Sequence, residues 1–78
     1  MAIAMEAAIA AIAGAIAIAG GAVGTGMAQS TIGSAGIGLI AEKPEAQGIA
    51  ILFLVLPETI LIFGFVTAIL ILLGAGLV

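Results

Sequence analysis

The chain has 78 residues, of which 65% are hydrophobic and 6% charged, and its mean hydropathy of +1.58 lies far outside the range of soluble domains. One Lys and four acidic residues give a net charge of −3, which excludes the basic surface that nucleic-acid binding requires. The absence of Cys and His excludes disulfides, thiolate metal sites and an imidazole base, so the composition predicts an all-α membrane protein surrounded by lipid.

The first predicted element is a helix over about residues 4–41, because residues 7–41 carry no charge and exceed the roughly 20 apolar residues that span a bilayer. Of these 35 residues, 20 are Ala or Gly. Each Gly costs about 1 kcal/mol of helix propensity relative to Ala, so close packing must compensate for it. The glycine content exceeds what one hairpin needs, which predicts identical copies packed in a ring with the first helix in its inner layer. The glycines assigned to this packing are Gly20, Gly24, Gly26 and Gly33.

A polar turn over about residues 42–46 separates the two apolar stretches. It contains Glu42, Lys43, Pro44 and Glu45, and Pro together with clustered charge interrupts a helix and belongs in water. A connection this short makes the two helices antiparallel neighbours. Lys43 is the sole cation, so the positive-inside tendency predicts a cytoplasmic turn and two termini on the outer side of the cell membrane.

The second predicted helix covers about residues 47–77, and its only charge is Glu58. An ionised carboxylate in the middle of a bilayer costs between about 2.5 and more than 10 kcal/mol, so such a residue marks a functional site. Its neighbours at helical spacings are apolar, and desolvation favours the neutral form of the carboxyl. We therefore expect Glu58 to hold a proton or a small cation. The apolar collar consists of Leu54, Val55, Leu61, Ile62 and Phe65.

Two polar side chains lie close to Glu58 in this arrangement. Glu58 follows Pro44 by 14 residues and Gln29 precedes Lys43 by 14, so both lie roughly 21 Å from the turn. The Gln29 amide offers an acceptor and two donors and can help bind whatever neutralises the acid; alternatively it bonds only a helix backbone or a neighbour. The hydroxyl of Thr59 can bond a cation or the carboxylate, or else the carbonyl one turn back.

Pro57 cannot donate to the carbonyl of Phe53, which predicts a kink one turn before the acid and a backbone oxygen available to an ion. Such kinks also occur in membrane helices without any role in ion binding.

Together these features resemble the proteolipid rotor-ring subunit, called c or K, of archaeal and vacuolar-type rotary ATPases. The likeness extends over nearly the whole chain. The motifs that carry it are Gly24-Thr25-Gly26-Met27-Ala28-Gln29, Ala41-Glu42-Lys43-Pro44-Glu45, Leu56-Pro57-Glu58-Thr59 and Ile62-Phe63-Gly64-Phe65.

The resemblance implies that Glu58 carries the transported ion, that Gln29 and Thr59 line its pocket, and that the carbonyl of Leu56 contributes. It also implies a stator subunit that supplies an arginine and a central stalk that docks at the turn, and it implies a protein with no bond chemistry and no cofactor of its own. The stalk contacts would be Glu42, Lys43 and Glu45.

Two differences from the family pattern bear on the ion. Many vacuolar-type members are doubled hairpins with one acid, whereas this hairpin has its own, so every copy should carry an ion. Sodium-binding members tend to have Gln where this chain has Ile60, so we expect a proton, with sodium as the alternative. A holin-like pore-forming hairpin and a purely structural proteolipid are the alternatives of other classes.

Overall fold

The computed structural model describes residues 4–78, which form two antiparallel helical arms joined by a short turn. The first arm is helix α1, Met5–Glu42. A 3₁₀ turn, Pro44–Ala46, leads into the second arm, which consists of α2, Gln47–Val55, and α3, Glu58–Gly74. The hairpin is a rod of 57 × 16 × 15 Å. The predicted two-helix hairpin is confirmed, while residues 1–3 of the predicted single domain lie outside the described range.

The turn lies where the sequence predicts it, and backbone sterics explain its position. Helix α1 ends at Glu42, and the next residue, Lys43, has φ −135° and ψ 85° and so leaves the helical conformation. A residue before proline is disfavoured in the α region, and Pro44 then occupies the first position of the 3₁₀ turn. The amide of Ala46 donates to the carbonyl of Lys43 at 2.9 Å, which closes the turn.

The second arm, predicted as one helix over about 47–77 with a kink at Pro57, is interrupted at Leu56 and Pro57. Both residues keep right-handed helical dihedral angles. After them the amides of Thr59 and Ile60 donate to the carbonyls of Leu56 and Pro57, three residues earlier, at 3.2 and 3.0 Å. The proline, which has no N–H group, thus produces a tightened turn at the position of the predicted kink.

The last helix also ends earlier than predicted, at Gly74. Gly76 adopts φ 75°, a left-handed conformation that glycine tolerates best. The amide of Leu77 donates to the carbonyl of Leu72 at 2.9 Å, and that of Gly76 donates to Leu73 at 3.1 Å. This is the Schellman arrangement, which satisfies the last free carbonyls of a helix.

The arms pack through glycines that bring the two backbones together. A methyl group added at Gly64 would lie 2.9 Å from the carbonyl oxygen of Ala17, and one at Gly21 would lie 3.2 Å from that of Ile60. At Gly14 it would lie 3.5 Å from the carbonyl oxygen of Ala68. Gly14 and Gly21 are seven residues apart and therefore lie on one face of α1.

The glycines assigned to packing from the sequence are a different set. Added methyl groups at Gly20, Gly24 and Gly26 would meet nothing within 4 Å, and one at Gly33 would only touch the side chain of Leu54 at 3.7 Å. Within one hairpin they therefore do not hold the arms together. Their predicted part in packing between copies stays a prediction.

Most large apolar side chains point away from the partner arm. Phe63 is 72% exposed, whereas the buried side chains of the described residues are small ones such as Ala50, Ala68 and Thr25. Both arms are long and apolar enough to cross a membrane. An outward apolar surface of this extent suits lipid or other apolar helices rather than water.

Candidate ion-binding site

The carboxyl of Glu58 faces the first arm at the interruption of the second. Glu58 is the first residue of α3 and is half-buried. Its Oε2 accepts a hydrogen bond from Nε2 of Gln29 at 2.9 Å. The two residues, 29 positions apart in sequence, thus meet at one depth of the hairpin.

Gln29 also binds the backbone of the second arm. Its Nε2 donates to the carbonyl oxygen of Leu54 at 3.2 Å, so both hydrogens of the amide nitrogen have acceptors. Leu54 lies four residues before Glu58, in the last turn of α2. Gln29 therefore connects the acid with the helix that precedes it, and its Oε1 remains as an acceptor.

Thr25 contributes a third contact, which was not predicted from the sequence. Its side chain is 2% exposed, and its Oγ1 donates to the carbonyl oxygen of Pro57 at 2.9 Å. Thr25 lies four residues before Gln29 and four after Gly21, so all three share one face of α1. This spacing was the available signal in the sequence.

Thr59 and Leu56 lie on the exposed surface of the second arm. Thr59 is exposed, and the residue Leu56 is 50% exposed. The hydroxyl of Thr59 donates to the carbonyl oxygen of Leu56 at 2.9 Å. This bond is the one-turn-back alternative to ion binding. Within one hairpin the described hydrogen bonds do not connect either residue with the pair of Gln29 and Glu58. Their predicted part in ion binding stays a prediction.

The apolar collar predicted around Glu58 is incomplete in a single hairpin. Leu54 and Leu61 are half-buried, but Val55, Ile62 and Phe65 are about half exposed. Shielding of the carboxyl on that side therefore requires lipid or another protein surface.

The other charged side chains lie at the hairpin turn or near the N-terminus. Glu42, Lys43 and Glu45 are exposed at the tip, roughly 21 Å from the acid by residue count. Among residues 4–78, no three His, Cys, Asp or Glu side chains gather in the way that a metal ion would require. The candidate site therefore contains one carboxylate, supported by an amide and a hydroxyl from the other arm.

The chain is similar to known proteins over the region that contains this site. A family model that describes the C subunit of ATP synthase matches residues 12–71. The K subunit of the A-type ATP synthase of Methanocaldococcus jannaschii is 45% identical over 58 residues, which cover 74% of this chain and 26% of that protein. The chain thus spans about a quarter of the length of this curated relative. The matched family region includes Gln29, the turn and Glu58.

Proposed function

Because the chain belongs to the family of ATP synthase C subunits, we propose that it is an ion-translocating rotor subunit of a rotary ATP synthase or ATPase and carries its ion on Glu58. Membership confirms the resemblance found in the sequence. The observation that carries the proposal is the hydrogen bond between Gln29 and the half-buried Glu58, inside a segment apolar enough to span a membrane. An ionised carboxylate at such a depth costs free energy, so an acidic residue there marks a functional site.

The arrangement of glycines supports assembly of identical copies into a ring. Counting about 100° per residue from Gly21, which faces the second arm, Gly20 and Gly24 lie on one flank of α1 and Gly26 and Gly33 on the other. Small residues on both flanks allow close approach of a helix from either side. The first arms would then form the inner layer and the bulkier second arms the outer one.

A neighbouring copy would also explain the position of Thr59. Thr59 and Leu56 are both exposed residues on the hairpin, while the open side of the collar around Glu58 needs a covering surface. In a ring, these two groups would meet the acid and amide of the next copy. Each ion site would then combine Gln29 and Glu58 of one copy with Thr59 and Leu56 of another.

In this mechanism each neutralised Glu58 travels through lipid and exchanges its ion where the ring faces a stator subunit. An arginine of the stator would attract the free carboxylate and prevent a short circuit. Moving one elementary charge across the membrane is worth about 2.3 kcal/mol per 100 mV, so a ring is needed to add the contributions of several ions. The exposed charges of the turn, Glu42, Lys43 and Glu45, would dock on the central stalk.

We assign a proton rather than sodium to the site. The amide nitrogen of Gln29, not its oxygen, faces Glu58, and the hydroxyl of Thr59 donates to a carbonyl. Ile60 adds no oxygen ligand. A hydrogen-bonded carboxyl needs few partners, whereas a sodium ion needs several oxygens that converge on it. Sodium is the alternative, and Gln29, Glu58, Thr59 and Leu56 would then be its ligands.

The test of the function is ion transport by membranes that contain the complex with Glu58→Gln. We expect transport to fall to background, while Glu6→Gln, a change of an exposed residue near the N-terminus, leaves it intact. The amide side chain resembles a protonated carboxyl in shape, so the ring should still assemble. Transport at the normal rate by Glu58→Gln would refute the proposal and favour a structural proteolipid or a holin-like pore.

The ion is tested with a carbodiimide, which reacts with protonated carboxyl groups. We expect selective labelling of Glu58, with Glu6, Glu42 and Glu45 as internal controls, and little protection by millimolar sodium at neutral pH. Strong protection by sodium but not by potassium would refute the assignment of a proton and identify sodium as the transported ion.

The orientation in the membrane is tested with Glu45→Cys, which should resist an impermeant thiol reagent added outside intact cells.

A further inference from the structure

The polar contacts between the two arms are confined to one level. In the described part of the chain, the side-chain hydrogen bonds that cross between the arms come from Thr25 and Gln29 and end on Leu54, Pro57 and Glu58. Thr25 and Gln29 are one helical turn apart on α1. Gln29 contacts the second arm before and after its interruption, at Leu54 and Glu58, and Thr25 contacts it within the interruption, at Pro57.

We infer that Thr25 is a positioning residue for Glu58, a role that rests on the proposed function of that carboxyl. Its hydroxyl holds the carbonyl oxygen of Pro57, the residue directly before the acid. Because Pro57 has no N–H group, the regular helix bond from this position back to Phe53 is absent, and within the second arm the amides of Thr59 and Ile60 bond Leu56 and Pro57. The bond from Thr25 supplies a constraint there from the opposite arm.

Four other hydroxyl groups of the hairpin form bonds of a different kind from this one. Thr31, Ser34, Thr59 and Thr67 are exposed, and each donates to a carbonyl three or four residues earlier in its own arm. Thr25 instead is 2% exposed and donates across the interface, to a residue 32 positions away. Its single hydroxyl proton is therefore used for the contact between arms.

The close approach of the α1 and α3 backbones at Gly21 makes the hydrogen bond between Thr25 and Pro57 possible. A methyl group at Gly21 would lie 3.2 Å from the carbonyl oxygen of Ile60, so only a glycine lets α3 come this close without adjustment. One turn further along α1, the same approach brings the Pro57 oxygen within 2.9 Å of the Thr25 hydroxyl. The close packing of the arms and the position of the acid are thereby linked.

The consequence concerns the exchange of the ion. The carboxyl of Glu58 must leave its contact with Gln29 and return to it in each cycle. With the Pro57 carbonyl held by Thr25, the backbone before Glu58 stays in place, so the movement is limited to the side chain. Without that bond the first turn of α3 shifts, and the carboxyl no longer meets the Gln29 amide reliably.

The test compares two substitutions, Thr25→Val and Thr25→Ser, in the full chain extracted in detergent. Val keeps the shape of Thr and removes the hydroxyl, whereas Ser keeps the hydroxyl and removes a methyl group. We expect Thr25→Val to increase the rate of carbodiimide labelling of Glu58 about three- to tenfold, the change that loss of one hydrogen bond allows. Thr25→Ser should label within about twofold of the unchanged chain.

Thr67→Val is the matched control, because the hydroxyl of Thr67 is exposed and donates to Phe63 in its own helix at 2.8 Å. It should leave the labelling rate unchanged. Labelling of Thr25→Val at the original rate would overturn the inference, and so would a Thr25→Ser variant that labels like Thr25→Val, which would indicate a packing role. The transport assay of Glu58→Gln tests the proposed function separately, so the two failures are distinguishable.

Discussion

The two arms meet in two regions that differ in chemistry. The glycine contact, formed by Gly14, Gly21 and Gly64 with the opposing backbone, contains no side-chain hydrogen bond between the arms in the described residues. The polar contact lies nearer the turn. Its members are Thr25, Gln29, Leu54, Pro57 and Glu58.

The difference follows from the state of the second arm in each region. Around Gly64 the helix is regular, so its backbone groups bond within the helix and only shape matters for packing. Around Pro57 the helix is interrupted, and in lipid an unsatisfied carbonyl costs several kcal/mol. There the side chains of Thr25 and Gln29 add hydrogen bonds from α1 to Leu54, Pro57 and the acid, so the two regions separate packing of backbones from polar contact with Glu58.

The largest effect is expected in the glycine contact, from Gly64→Ala. The new methyl group would lie 2.9 Å from the Ala17 carbonyl oxygen, and the backbone of one arm must move to relieve the overlap. We expect the free energy of unfolding in detergent to fall by about 2–3 kcal/mol, and oligomer formation to fall with it. Gly48→Ala, at a position with open space, is the control; an equal loss there would contradict the assignment.

Substitution of a glycine that lies outside both contacts should prevent assembly of copies without affecting the folding of the hairpin. Gly24→Leu or Gly26→Leu places a bulky side chain where one hairpin has open space, so the hairpin should fold and insert. Copies whose first arms must approach closely would be held apart. Native mass measurement should show loss of the oligomer, and an unchanged oligomer would remove the case for an inner layer of first arms.

A smaller effect is expected in the polar contact, from Gln29→Leu. The change keeps most of the volume but removes the donor to Leu54 and Glu58. Hydrogen bonds between membrane helices contribute about 0.6 kcal/mol each on average, so the free energy of unfolding should fall by roughly 1 kcal/mol. Gln47→Leu, which changes an exposed residue near the turn, serves as control, and a loss above that for Gly64→Ala would reverse the comparison.

The smallest effect on the hairpin is expected from Thr59→Val. The hydroxyl of Thr59 is exposed and bonds only within its own arm, so the free energy of unfolding should change by less than about 0.5 kcal/mol. In the assembled ring the same change should alter the carbodiimide reaction of the neighbouring Glu58. A destabilised hairpin would show instead that Thr59 belongs to the polar contact.

The candidate site could be predicted in part by counting residues from the turn. Two straight antiparallel helices rise equally per residue, so Gln29 and Glu58 were expected at one depth, and the structure brings them together. The same count says nothing about the direction of a side chain around its helix axis. Thr59, adjacent to Glu58 in sequence, therefore points outward, and Thr25 was missed although it lies on the same face as Gln29.

The sequence by itself determined the class of the protein, two segments long and apolar enough to span a membrane, the turn at Pro44 and the one acid within the second segment, Glu58, because hydropathy, charge and the missing N–H of proline act locally. Only the tertiary structure decided that Gly14, Gly21 and Gly64, rather than Gly20 and Gly24, join the arms. It also decided that the interruption at Pro57 is held by Thr25. Both contacts depend on how far each helix is rotated about its own axis. This rotation is set by the closest approach between the two helix backbones, and neither helix specifies that approach alone.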